Sequence, residues 1–135
     1  MNEKSASYGN GNDAIIIRQD LGGIPKGCVL DLTGYNYGEI RVGQFIMRST
    51  ATDEKRIYKP VPVTGAPYAE GATYGTVPEG YEICGCSRTT RLAEEPEIGI
   101  LQRGVINDVA GPFVLTKEFK EKVKAVLPAL YFDHD

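Results

Sequence analysis

The chain has 135 residues, 41% hydrophobic and 24% charged, which is the size and balance of one folded domain rather than of a disordered segment. Net charge is -3 and no run of Lys or Arg exceeds two, so the basic footprint of a nucleic-acid binder is missing, and no apolar run approaches the ~20 residues that span a bilayer. The 16 glycines and 8 prolines imply many turns and short segments, which favours β structure over a helical bundle.

Residues 1–13 are polar and rich in Gly, Asn and Ser, with Tyr8 as their one aromatic side chain. They are read as a flexible arm, with residues 14–135 as a single β-rich domain. The first residues carry no apolar h-region, so no secretory signal is expected, and a cytosol-like compartment is. Ile15, Ile16 and Ile17 are consecutive β-branched residues and predict a strand over residues 14–18. A continuous apolar run of this kind fits a strand covered on both faces, or one that meets another chain.

Residues 22–27 read as a turn, 28–32 as a short strand and 34–38 as a loop or hairpin tip. A third strand is predicted over residues 39–48, with Gly43 as a bulge. Residues 57–63 alternate well, but Pro60 and Pro62 confine them to a sheet edge or an extended loop. Residues 64–80 form the longest irregular stretch. Its tyrosines, Tyr68 and Tyr74, suit an interface, and packing beneath the loop explains them equally well.

Residues 81–87 alternate as a strand, which places Cys84 and Cys86 on one face. After a charged turn, residues 97–107 carry the strongest β signal, broken at Gly104. Thr116 is a good N-cap, Glu118 suits the first turn, and Phe119, Val123, Val126, Leu127 and Leu130 recur at helical spacing. Pro128 makes Leu127 the expected last helical residue. Burying the four apolar side chains before the proline contributes on the order of 6–12 kcal/mol gross, at roughly 1.5–3 each, so the helix should dock on the sheet. Residues 129–132 then form a last strand, ahead of a polar tail. The whole is a mainly β, α+β domain: a compact sandwich or barrel-like body with one C-terminal helix.

Chemistry is hard to find in this sequence. A nucleophile needs a base beside it, and the one histidine, His134, lies next to the C-terminus. The three cysteines are odd in number and read as reduced, near-core side chains, and a metal site needs about four ligands. Glu94, Glu95 and Glu97 fall in a Pro-containing turn, and Asp31 and Asp108 read as turn residues. No Walker or dinucleotide fingerprint is present. The expectation is a non-enzyme without cofactor or metal that works by assembling with other proteins. An unstructured arm beside an aliphatic strand is what β-augmentation requires, so the candidate contact residues are Tyr8, Ile15, Ile16, Ile17, Tyr68 and Tyr74.

The segment Ile98-Gly99-Ile100-Leu101-Gln102-Arg103-Gly104-Val105-Ile106-Asn107 resembles a strand and turn of the head decoration proteins of tailed phages, the group that includes the lambda-type capsid-stabilising trimer. Gly27-Cys28-Val29-Leu30 matches that group's opening G-x-V-L, and the final helix and strand match its close. Cys84-Gly85-Cys86 replaces aliphatic residues of the group's middle strand, and residues 49–80 are an insert. The resemblance implies a homotrimer on the capsid surface, bound to the major capsid protein partly through its N-terminal arm, with no cofactor. It also implies a virion location after synthesis in the host cytoplasm. A fibre or tail accessory domain is one alternative. A carbohydrate-binding β module that uses the Tyr-rich loop is the other.

Overall fold

The structure is a computed structural model and describes residues 13–51 and 56–134. A single helical turn, α1 (Asp13–Ile16), leads directly into a long strand, β1 (Ile17–Val29). The strand expected over residues 14–18 therefore starts only at Ile17. Ile16 is fully buried, wedged against the bare backbone of Gly43, where a Cβ would collide with its methyl group.

The turn expected over residues 22–27 is instead the middle of β1, which pairs antiparallel with β9 (Glu97–Asn107) from Ile17↔Ile106 to Val29↔Glu97. The glycines do not reverse the chain. Gly22 (φ 132°) and Gly27 (φ 126°) accommodate register shifts as bulges. Gly104 (φ 149°) likewise does not break β9, because its missing side chain lets the Gln19 carbonyl approach closely.

The third predicted strand splits into β2 (Glu39–Ile40) and β3 (Phe45–Ser49) around a tight turn at Gly43 (φ 83°), closed by Gln44 N–H donating to the Arg41 carbonyl at 3.0 Å. β4 (Tyr58–Pro60) lies at a sheet edge, as Pro60 requires. Two small strands, β5 (Val63–Thr64) and β6 (Thr73–Tyr74), pair with each other inside the irregular stretch, and β2 pairs with β8 (Arg91–Leu92).

The main sheet runs β1-β9-β7-β3-β4, with β7 spanning Tyr81–Ser87. β7 touches β9 only at Cys86↔Leu101 and Ser87↔Ile100 and then leaves it. The gap admits β10 (Leu130–Asp133), which pairs with β9 in parallel from Gly104 to Asn107. Gly85 (φ 148°) sits at this fork, and a Cβ there would collide with the Leu101 carbonyl. It also bulges β7 against β3, where the register skips between Ile46 and Met47. The bulge inverts the alternation, so Ile83 and Cys86 share one core while Cys84 enters the other. The expectation that both cysteines share a face is thus corrected.

Both sheet faces are covered. One carries Phe45, Met47, Ile83, Leu101 and Leu130 beneath α2 (Lys117–Val126). The other carries Leu30, Ile40, Ile46, Cys84, Ile98 and Ile100 inside the curl of the sheet. One isolated bridge, Leu30↔Tyr58, ties the two sheet edges at a point, but the sheets are not closed into a barrel. The helix begins where expected: the Thr116 hydroxyl accepts the Phe119 N–H at 3.1 Å, and Leu127 is its C-cap. The mainly β, α+β reading with a docked C-terminal helix holds.

Candidate functional site

The predicted contact residues separate in the structure. Tyr8 lies outside the described residues. Ile15 is exposed, Ile16 is fully buried and Ile17 is half-buried opposite Ile106. Tyr74 belongs to an aromatic cluster: it stacks on Phe119 (centroids 4.4 Å apart, 10° between planes) and lies 5.0 Å from Phe113 and 5.8 Å from Phe45. Its hydroxyl accepts the N–H of the fully buried Phe45 at 2.9 Å, and burial pushes the phenol pKa well above its ordinary value. Ile16 is thus committed to the domain's own core, and Tyr74, partly buried, packs against it.

Tyr68 is presented outward. It is 40% exposed and, among the described residues, is the one non-glycine with positive φ (64°), a conformation that costs about 1–2 kcal/mol. The surroundings hold it there. Its N–H donates to the Pro112 carbonyl at 2.8 Å, its hydroxyl donates to the Ala110 carbonyl at 3.3 Å, and the Arg41 guanidinium lies 5.1 Å from its ring. Tyr68 forms one wall of an open groove of about 430 Å³, whose other sides are Ala72, Val109, Pro112 and Val114. Val109 and Val114 are 71% and 54% exposed.

The polar end of the groove is an ion cluster that links three elements. The nearly buried Asp108 carboxylate, just beyond β9, receives Lys120 Nζ of α2 at 2.9 Å and His134 Nδ1 beyond β10 at 2.7 Å. Burial opposes the Asp108 charge, but the hydrogen bonds from Lys120 and His134 outweigh it and hold the carboxyl below its ordinary range. Sequence reasoning missed this cluster, since nothing in the spacing of positions 108, 120 and 134 shows that α2 and β10 return beside the end of β9. Its geometry is that of a clamp on the C-terminal strand.

A second exposed feature is the outer side of β1, which no described strand pairs. Leu21 and Val29 stand on it at 57% and 64% exposed. Arg88 fixes its shape from behind: the guanidinium donates to Asp20 Oδ1 at 3.1 Å and to the Ile24 carbonyl at 3.1 Å, while Asp20 Oδ1 also accepts the Gly22 N–H.

The three thiols are free, and their surroundings disfavour the thiolate. Burial pushes Cys84 up to about 12, raises Cys86 still further, and raises Cys28 as well. Among the described residues no three His, Cys, Asp or Glu side chains lie together as a metal set, and no helix is long and apolar enough to cross a membrane. No protein-family model, curated protein or solved structure matches the chain.

Proposed function

We propose that the protein is a structural assembly protein of a virion, a homotrimeric tile that binds the major capsid protein of a tailed-phage shell and stabilises it without catalysis. The observation that carries the reading is the open β1 edge, 13 residues long and bearing the exposed Leu21 and Val29. An unpaired edge with apolar side chains is a template for another chain. The bulges at Gly22 and Gly27 twist it out of the flat form that promotes indiscriminate pairing. The sequence resemblance to head decoration proteins supplies the kind of partner. The carbohydrate-module alternative loses one of its two ring platforms, because Tyr74 is packed against Phe119.

Cosedimentation with shells assembled from a tailed-phage major capsid protein is the test. Saturable binding in multiples of three, with a rise in shell melting temperature, is expected. The double variant Leu21→Asp/Val29→Asp, checked for native circular dichroism, should lose both effects. A wild-type chain that fails to bind such shells overturns the reading.

A further inference from the structure

We propose that the groove beside Tyr68 is the seat of this chain's own N-terminal segment, residues 1–12, with the ring of Tyr8 as the anchoring group. It stands whether or not the domain binds a shell. Three observations carry it: the place where the segment joins the domain, its reach, and the chemistry of the groove.

The segment joins the domain beside the groove. Asp13 opens α1, and the Ile16 methyl group and the Pro112 ring both border the space that a Cβ at Gly43 would occupy. The carbonyl of Pro112 is the acceptor for the Tyr68 N–H. Tyr8 is five positions before Asp13, and an extended chain of that length reaches on the order of 17 Å, enough to run along the groove. Gly9 and Gly11 lie between them and let the chain bend back toward its own domain.

The groove has the two-part chemistry of a phenol site. Val109, Pro112 and Val114 provide an apolar wall for a ring, and Lys120 and Asp108 provide polar partners for a hydroxyl at one end. Within residues 1–12 the only aromatic side chain is Tyr8, and the rest is largely polar or glycine. The segment thus offers one ring that matches the site.

Hydrogen exchange on the full chain, on a form lacking residues 1–12 and on Tyr8→Ala is the experiment. Removing the segment or its ring should speed amide exchange in residues 66–72 and 108–115 by roughly tenfold, with β3 and β7 unchanged. Val114→Glu, which fills the groove and leaves the segment intact, should give the same pattern. A synthetic peptide of residues 1–12 should restore protection to the shortened form, and its Tyr8→Ala version should not. Unchanged exchange in those two stretches overturns the seat. Protection that disappears on dilution while light scattering shows the particle mass falling would assign the segment to a second copy, and would overturn it equally. Neither result depends on capsid binding.

Discussion

Tyr68 and Tyr74 stand six positions apart in one connection and are used in opposite ways. Tyr74 lies between Phe45, Phe113 and Phe119 and satisfies a buried backbone N–H. Tyr68 accepts a strained backbone so that its ring can stand at the rim of a groove. The difference comes from what each meets. Tyr74 lies on β6, whose partner β5 carries it under α2, whereas Tyr68 lies where the chain crosses the 108–114 segment and bonds to the Pro112 and Ala110 carbonyls. A connection that is irregular throughout therefore has a rigid inner end and a presented outer end.

That contrast can be broken at measurable cost. Tyr74→Ala removes a large ring from the core and should destabilise the domain by about 3–5 kcal/mol in urea titration. Tyr74→Phe keeps the ring but strands the Phe45 N–H, and should cost about 1–3 kcal/mol in the same assay. At the outer end, the Asp108 clamp should be visible in the pH dependence. Its folded pKa is depressed, so it contributes stability above the unfolded value of about 3.9 and loses that contribution as pH falls through its lower folded value. Asp108→Asn should lower stability across the neutral region, where the contribution is fully present, and flatten the acid limb so that the two curves converge at low pH. Tyr68→Gly should have the smallest effect on unfolding, under about 1 kcal/mol, because relief of backbone strain offsets the lost hydrogen bond.

The elements legible in the sequence are those whose signal is local. The α2 helix was readable from its cap, its 3.6-residue spacing and Pro128, and the edge position of β4 from Pro60. The strands at 81–87 and 97–107 match residue for residue. The misreadings involve glycines at positive φ in strands. Gly22 and Gly27 resemble turn residues, and Gly85 inverts an alternation that the sequence shows as regular. At Gly22 and Gly85 a neighbouring strand's side chain or carbonyl decides, and that neighbour is remote in sequence. The Tyr68 groove and the Asp108 clamp were illegible for the same reason, since their walls come from three separate parts of the chain. The partition of Tyr68 from Tyr74 was equally hidden, because both are amphipathic and both lie in polar surroundings.

The pairing of β1 with β9 has a kinetic consequence. Ile17 and Ile106 are partners 89 positions apart (106 minus 17), and this ladder is the most extensive in the molecule. Closing so long a loop must precede most of the reward from pairing, so the domain belongs with slow, millisecond-to-second folders. Until β9 emerges, β1 lacks the strand that covers its ladder groups and its Ile17 and Ile24 side chains. During synthesis, then, the same strand that is proposed to receive a neighbour is the one most in need of protection from the wrong one.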